Sequence, residues 1–332
     1  MPVATTLSLI PLARALGGDV YAGGRRALAP APGHDAADRS VSLVLIDGRV
    51  VVHSFGAADW REVLDDLRAR GWIDADNRLL GGGGVSARPP RPERSRAERE
   101  RIARALWEAA GSVADDGPAA AYGRSRAVDL CALRLSGLRA HGAVPTQVYA
   151  DRGLRLAGLL AGVRSADGAI TAVEVTYLDA RGERSRLARP PRKVVGSIPA
   201  GAAVRLVPRA VEMLVAEGVF TTLSAMARFG LPGWALLSTS NLRRWSAPQG
   251  VRRVLIAGDR GPDGERSAGI LLARLRNAGV VAEVVLPPVG AGDWNDLARR
   301  EDEEGRRGAP GSQGWSLAAG WDLPHGHDPI RS

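Results

Sequence analysis

The spacing of hydrophobic residues changes along the chain and predicts an order of helices and strands. Up to about residue 79, the pattern predicts a helix, two short strands, SVSLVLIDG and RVVVHSF, and a second helix, DWREVLDDLRARG. The Asp47-Gly48 pair between the strands is typical of a tight hairpin turn. In the second helix, apolar residues recur at intervals that place them on one face. We therefore expect a small N-terminal domain over residues 1–79.

A linker is expected next, over residues 80–97, because four consecutive glycines precede a stretch rich in proline and arginine. Residues 98–200 begin with a predicted helix, AERERIARALWEAAG. Three strands are predicted later in this segment, within LAGLLAGVRSADGAITAVEVTYLDARGERSRLA. This mixture predicts an α+β domain over residues 98–200.

Strand-like and helical runs alternate over residues 201–300, starting with the strand VEMLVAEG and the helix TTLSAMARFG. Alternation at these lengths is typical of a parallel sheet flanked by helices, so the predicted fold class is α/β. Residues 301–332 are acidic at first and then rich in Gly, Pro and polar residues. We expect that tail to be disordered.

Net charge suggests a partner for this fold. The chain carries a formal net charge of +9 and has a pI of about 10.8. A strongly basic balance is typical of proteins that bind nucleic acid. The same charge also fits an ordinary surface, because nearly all the basic residues are arginines in a chain rich in Ala and Gly, as a GC-rich genome encodes.

Cysteine content and hydropathy exclude several classes of protein. Cys131 is the only cysteine, so the chain has neither a disulfide framework nor a cysteine-based zinc site. No apolar run approaches the roughly 18 residues that a transmembrane helix needs. We therefore expect a cytoplasmic protein with no membrane partner.

Acidic residues follow two predicted strands of the parallel sheet. Glu217 lies near the end of LVAEG and Asp259 ends IAGD, while Asp293 and Asp296 lie in a later loop, GAGDWNDLA. Because the carboxyl ends of parallel strands lie along one edge of a sheet, these carboxylates are expected near one another. Gathered carboxylates suit Mg²⁺, which prefers oxygen ligands and supports phosphate chemistry. Helix capping and solvated turns are the alternative interpretation of the same acids.

Four segments, LVAEGVFTTLSA, TSNL, VLIAGDRGPDGERSA and GDWNDLA, resemble in order and spacing the Toprim domain of phage and plasmid primases. The resemblance covers about residues 204–299 and implies a Toprim-like parallel sheet. It matches Glu217 to the family's glutamate, which is a general acid/base or metal-associated group. It matches Asp259 to the first acid of an Asp-x-Asp pair, which is a metal ligand.

The second acid of that pair is missing, because Gly261 stands in its place. Asp263, two residues further on, either substitutes as a metal ligand or is only a turn residue. The other matches carried over from the family are two glycines beside the acids, the two acids of the closing motif as metal ligands, and an asparagine whose alternative role is to brace the loop: Gly218, Gly264, Asp293, Asp296 and Asn295.

The segment APGHDAADRSVSLVLIDGRVVVHSFGAADW resembles the zinc ribbon of such primases in its frame but not in its ligands. Ala31, Ser54 and Ala57 stand where three cysteines would be, and His34 is the ligand type that remains. A structural zinc site needs four ligands. We therefore expect a zinc-ribbon-derived domain that binds no zinc, in which packing replaces the metal.

The middle segment resembles the region that precedes Toprim in phage-type primases. YGRSRAV is similar to a Tyr-x-x-x-Arg-Gly segment of that region, with Ala127 in place of the glycine. In primases this region forms the template groove, which implies phosphate contacts for four basic residues of the later part: Arg184, Arg186, Arg192 and Lys193. An exposed basic edge that prevents sheet pairing explains the same residues equally well.

Together these resemblances imply a primase-like nucleotidyltransferase of a phage, plasmid or other mobile element. Such an enzyme makes primers on single-stranded DNA from nucleoside triphosphates, with Mg²⁺ (or Mn²⁺) as cofactor. The sequence contains no Gly-x-x-x-x-Gly-Lys-Ser/Thr motif, so a helicase would be a separate partner. Two alternatives stay open: a Toprim nuclease, and a catalytically decayed Toprim protein that only binds DNA.

Overall fold

The computed structural model describes residues 7–32, 39–54, 59–80, 94–133, 135–188 and 190–308. The chain divides into two compact units, Met1–Ser95 and Arg96–Ser332. Among the described residues, no helix is both long enough and apolar enough to cross a bilayer.

The first unit is a four-stranded antiparallel sheet with two helices. Its elements are α1 (Ile10–Ala15), β1 (Asp19–Tyr21), a 3-10 turn (Ala22–Gly24), β2 (Arg26–Ala29), β3 (Val41–Ile46), β4 (Arg49–Ser54) and α2 (Trp60–Ala69). The strands pair in chain order, and β3 and β4 form the expected hairpin around Asp47-Gly48. The sequence pattern did not predict β1 and β2, because each is too short to show an alternation of apolar and polar residues.

At one of the positions where the zinc ribbon has a cysteine ligand, an alanine is packed into the apolar core. Ala31 is 2% exposed and belongs to the same buried cluster as Leu12, Leu43 and Leu67. Ser54, at a second ligand position, is half-buried at the end of β4. The remaining positions of the zinc-ribbon frame (His34, Phe55, Gly56, Ala57) lie outside the described residues.

The second unit opens with two helices and an antiparallel region. These elements are α3 (Arg96–Glu108), α4 (Pro118–Ser125), β5 (Leu138–Gln147), a 3-10 turn (Val148–Ala150), β6 (Arg152–Arg164), β7 (Ile170–Leu178), β8 (Arg192–Gly196) and β9 (Ala203–Arg205). Two of the three strands expected here form, β6 and β7. The third is reduced to a single bridge between Leu178 and Arg184. Pairing ends there because the edge of β7 is taken by the segment entering β8, where the Pro191 carbonyl accepts the Tyr177 N–H.

The remaining elements alternate between strand and helix. They are β10 (Glu212–Ala216), α5 (Val219–Phe229), β11 (Gly233–Ala235), α6 (Thr239–Leu242), β12 (Arg253–Ala257), α7 (Pro262–Asn277), β13 (Val281–Val285) and α8 (Trp294–Gly308). The four strands pair in parallel in the order β11-β10-β12-β13. The predicted α/β class, a parallel sheet flanked by helices, is therefore confirmed. Residues 301–308 of the expected tail continue α8, and the rest of that tail lies outside the described residues.

A single nine-stranded sheet runs through both expected domains of this unit. The short strand β9 pairs antiparallel with β6 through Val163 and Val204, and antiparallel with β11 through Arg205 and Trp234. The expected border at residue 200 thus falls just before the strand that joins the two regions. Sequence periodicity did not reveal this link, because pairing between distant strands leaves no local pattern.

Ala127, just after α4, tests whether a left-handed backbone conformation at this position costs stability. It has a φ of 54°, in the left-handed region that favours glycine, and the related segment carries glycine there. Replacing Ala127 with Gly should raise the free energy of unfolding by about 1 kcal/mol, because a non-glycine residue in this region costs roughly 1–2 kcal/mol. Denaturant titration measures the change.

The matched control for this prediction is Ala105→Gly, at an exposed position inside α3. That substitution should lower the free energy of unfolding by about 1 kcal/mol, the usual cost of glycine in a helix. An equal loss of stability in both variants would show that the left-handed backbone at Ala127 carries no penalty.

Candidate active site

Two adjacent strands position the acids that the sequence singled out. β10 and β12 pair in parallel with Ala216 opposite Ala257, and both strands are buried up to their last residues. Glu217 follows β10 directly, and Asp259 follows β12 after Gly258. The structure therefore brings both carboxylates to one edge of the sheet, as expected for parallel strands.

The surroundings of Asp259 disfavour its charged form. Its Oδ1 is buried and has no hydrogen-bond partner among the described residues. Burial raises the pKa of Asp259 to about 7, and the charges of Glu217, Asp293 and Asp296 add to the effect. This carboxyl thus lies within electrostatic reach of three other acids.

Glu217 has a more balanced environment. Burial raises its pKa most, and the charge of Asp263 raises it further. A hydrogen bond from the Thr239 backbone N–H opposes this rise, as do the charges of Arg192 and Arg243. Partners on α6 and β8 therefore stabilise the carboxylate that burial disfavours.

The closing motif is fixed beside Asp259 by the neighbouring loop. Arg260 donates its backbone N–H to the Gly292 carbonyl at 2.8 Å and its Nε to the Pro287 carbonyl at 2.6 Å. Asp293 Oδ1 accepts the Asp296 N–H at 2.8 Å, at the start of α8. Asp293 thus acts as a helix cap, which was the alternative interpretation, and it also lines the cavity described below.

Asn295 braces three segments of the second unit. It is fully buried, and its Nδ2 donates to the Arg126 carbonyl at 2.7 Å and to Ser224 Oγ at 2.9 Å. These bonds join the start of α8 to the end of α4 and to α5. The side chain therefore joins the middle region to helices that flank the parallel sheet.

The backbone conformation at Gly261 explains why no acid stands at this position. This residue has a φ of 116° and a ψ of 160°, a region that is almost restricted to glycine. Asp263 lies in the first turn of α7, is exposed, and forms an ion pair with Arg243. Arg243 also donates its Nε to Ser267 Oγ at 2.9 Å. Asp263 therefore has a partner of its own, although its charge still reaches Glu217.

Gly264 permits the close approach of α7 to the end of β12. A Cβ at this position would lie 2.6 Å from the Asp259 carbonyl oxygen. Gly218 has no such constraint, since its φ of −85° is open to any residue. Its carbonyl accepts the Thr222 hydroxyl at 2.7 Å, in the first turn of α5.

An open cavity at this edge of the sheet combines acidic and basic side chains. Its walls include the acids Glu217, Asp259 and Asp293 and three arginines from the middle region, Arg126, Arg184 and Arg192. Two of these arginines, Arg184 and Arg192, were expected from the sequence. The cavity therefore offers places for a cation and for an anion close together.

The basic residues expected to contact phosphate separate in the structure. Arg184 lines the cavity and donates its Nε to Tyr122 Oη at 3.1 Å. Arg186 is exposed in the same loop and is not part of the cavity wall. Lys193 follows Arg192 in β8 and so faces the other side of the sheet. Its Nζ donates to the Thr146 carbonyl at 2.6 Å, and burial lowers its pKa to about 8.

Sequence reasoning missed Arg126 and Glu174. The Nε of Arg126 is buried without a hydrogen-bond partner among the described residues, and its guanidinium lies 5.7 Å from the centre of the Phe220 ring. Burial lowers its pKa. Two signals in the sequence could have identified them: Arg126 belongs to the YGRSRAV segment, and Glu174 is the one charged residue in the apolar segment ITAVEVTYL.

The acids do not form a compact metal cluster. Within the described ranges, no group of three or more His, Cys, Asp or Glu side chains is placed to hold a metal ion. The expected ligands Asp263, Asp293 and Asp296 are thus near Glu217 and Asp259 without joining them in one ligand set.

Comparisons with solved structures give partial superpositions. The primase fragment of the bacteriophage T7 primase-helicase protein is 14% identical, with 83% of this chain and 95% of that chain covered and a TM-score of 0.41. The zinc-binding and RNA polymerase domains of the Aquifex aeolicus primase are 14% identical, with 91% and 82% covered and a TM-score of 0.38. The E. coli primase catalytic core is 12% identical, with 64% and 78% covered and a TM-score of 0.40. These superpositions, all with TM-scores below 0.5, carry no argument about function.

Family models match both regions of the second unit. Residues 97–206 match a domain of unknown function (DUF7146), and no curated protein matches the chain. Residues 212–304 match the Toprim domain. This range holds Glu217, Asp259 and the GDWNDLA segment, as the sequence motifs predicted. The chain therefore contains a Toprim domain.

Proposed function

We propose that this protein is a primase-type nucleotidyltransferase that makes primers on single-stranded DNA from nucleoside triphosphates. The observation that supports this most is the cavity in which the Toprim acids Glu217 and Asp259 meet the arginines Arg126, Arg184 and Arg192. Acids that hold a divalent cation and arginines that bind phosphate are the two needs of phosphoryl transfer.

The acids fit Mg²⁺ or Mn²⁺ in one specific way. Asp259 Oδ1 is a buried oxygen without a partner among the described residues, and burial, together with repulsion from its acidic neighbours, raises the pKa of Asp259. Mg²⁺ is usually bound through one or two carboxylates together with substrate phosphates and water, so a compact cluster of three acids is not required. Glu217 and Asp259 would hold the cation, which neutralises phosphate charge when bound.

The side chains of this protein would divide the remaining work. Arg126, Arg184 and Arg192 would bind triphosphate oxygens through charge-assisted hydrogen bonds. Burial raises the pKa of Glu217, which makes its carboxylate a better acceptor for the proton of the attacking hydroxyl. Arg186, exposed beside Arg184, stays a candidate for contact with template phosphates. Lys193 would take part only if it released the Thr146 carbonyl.

A Toprim protein that binds DNA without catalysis is the second candidate. It is favoured by Gly261, whose backbone conformation is nearly restricted to glycine and so disfavours an acid, and by the ion pair that engages Asp263. For the first candidate, the primase, the resemblance to phage and plasmid primases also implies a separate helicase partner and a mobile-element origin. Primer synthesis distinguishes the two candidates.

Glu217→Gln should abolish primer synthesis. The variant keeps the size of the side chain but removes the negative charge that the cation and the attacking hydroxyl need, so we expect a loss of about 100-fold or more. Synthesis is measured with single-stranded template, Mg²⁺ and labelled nucleotides. Glu212→Gln, at the exposed start of β10, is the matched control and should retain wild-type activity.

A DNA-binding assay and a plasmid-nicking assay, run beside primer synthesis, report the competing functions. DNA binding that EDTA leaves unchanged, without any primer product, would favour the non-catalytic candidate. Nicking of supercoiled plasmid would favour a Toprim nuclease instead.

Asp259→Asn should change how stability depends on pH in chelator. The pKa of Asp259 in the folded state is about 7, above its ordinary value of 3.8, so the folded state binds more protons between these values. The free energy of unfolding of the wild type should therefore fall as pH rises from about 4 to 7, by a few kcal/mol at most. Asp259→Asn lacks this decrease and should be the more stable protein at pH 8.

Thermal unfolding at several pH values measures this effect, and Asp116→Asn, in an exposed loop, is the control. Adding Mg²⁺ at pH 8 should raise the Tm of the wild type more than that of Asp259→Asn. Parallel pH profiles of the two proteins would contradict the burial of an uncompensated carboxyl at this position.

Asp263→Asn should weaken cation binding, but less than Asp259→Asn does. Its carboxylate is exposed and paired with Arg243, yet its charge reaches Glu217. Mn²⁺ binding followed by electron paramagnetic resonance gives the affinities. Glu265→Gln, in the same turn of α7, removes one charge and keeps the oxygen that accepts the Gly261 N–H, so it is the control. Unchanged Mn²⁺ affinity in Asp263→Asn would mean that Asp263 is only a helix-start residue.

A further inference from the structure

Glu174 is a buried carboxylate in the cavity wall that the proposed chemistry does not use. Its side chain is 13% exposed, in the middle of β7. The pairing of β7 with β8 puts Thr176 opposite Arg192. Because side chains alternate along a strand, Glu174, Thr176 and Arg192 share the face that borders the cavity. The opposite face carries Val175 and Tyr177, which are fully buried.

The partner of Glu174 is an arginine that also acts on the Toprim acids. Arg192 Nε lies 4.0 Å from Glu174 Oε2, and this is the ion pair of Glu174 within the described part of the chain. The positive charge of Arg192 reaches Glu217 as well, across the same cavity. Arg192 is thus shared between a carboxylate on the wall and a carboxylate at the end of β10.

A carboxylate in this position opposes the binding of any anion. Phosphate that enters the cavity meets the negative charge of Glu174 and has to compete with it for the Arg192 guanidinium. Arg192 is itself about half exposed, with a side chain 54% accessible, so it has room to turn from one partner to another. Glu174 is the charged residue of β7, so without it no carboxylate of that strand would hold Arg192 at the cavity wall.

We propose that Glu174 is a positioning residue that holds Arg192 at the cavity wall. A phosphate group of the incoming triphosphate, or pyrophosphate, then displaces the Glu174 carboxylate from Arg192. This inference rests on the proposed function, because it requires that polyphosphate enters the cavity. The displaced carboxylate keeps the affinity for polyphosphate moderate and so speeds the departure of pyrophosphate. Glu174 acts through Arg192 and touches no reacting atom.

The experiment compares pyrophosphate binding by the full chain and its variants, with calorimetry in excess Mg²⁺. Glu174→Gln should lower the Kd for inorganic pyrophosphate about fivefold to tenfold, because the competing charge is gone while the side chain keeps its size. Glu174→Asp keeps the charge and should bind within about twofold of the wild type. Glu212→Gln makes the same change in net charge at the exposed start of β10 and should leave the Kd unchanged.

A double-mutant cycle tests whether the effect passes through Arg192. Arg192→Gln should weaken pyrophosphate binding, and adding Glu174→Gln to it should bring a much smaller gain than in the wild type, because only the direct repulsion by Glu174 is then removed. Primer synthesis supplies a second readout, in which Glu174→Gln should lower KM for the nucleotide.

The possible results separate this inference from the proposed function. A wild-type protein that does not bind pyrophosphate contradicts both. A wild-type protein that binds it, with an equal or weaker affinity in Glu174→Gln, overturns the role of Glu174 alone. An affinity gain of the same size in the Arg192→Gln background would also overturn it, because the effect would then not depend on that arginine.

Discussion

The structure of the second unit depends on holding two carboxyl groups, Glu217 and Asp259, near each other and partly out of water. Their strands are neighbours in a parallel sheet, so the two side chains have no means of moving apart without breaking the sheet. Burial raises the pKa of both groups, and repulsion adds to the effect, from Asp263 at Glu217 and from Glu217, Asp293 and Asp296 at Asp259. Stability elsewhere in the unit offsets this local cost, as is common where an active site requires like charges in proximity.

Several unrelated contacts serve this single arrangement. Gly264 lets α7 approach the backbone at Asp259, and Arg260 ties the loop after β13 to the loop after β12. Asn295 then joins the start of α8 to α4 and α5. Each contact fixes an element of the cavity wall relative to the acids. The arginines of the middle region consequently line the same cavity as the acids.

The sequence allowed prediction of features that depend on local pattern. The hairpin at Asp47-Gly48, the parallel sheet and the acids at the ends of β10 and β12 all follow from residue spacing within short segments. The sequence did not predict that Arg192 and Lys193 lie on opposite faces of the sheet, because their strand, β8, was not recognised from the local pattern. Glu174 was overlooked because its importance comes from a neighbour across the sheet, to which the chain returns only in β8.

The short strand β9 links the evolution of the middle region to that of the parallel region. It pairs with β6 through Val204 and with β11 through Arg205, so both regions depend on this strand to continue their part of the sheet. The two regions match different family models, over residues 97–206 and 212–304. An exchange of either region between related genes would have to bring along a strand that fits both neighbours, and they are therefore expected to evolve as a pair.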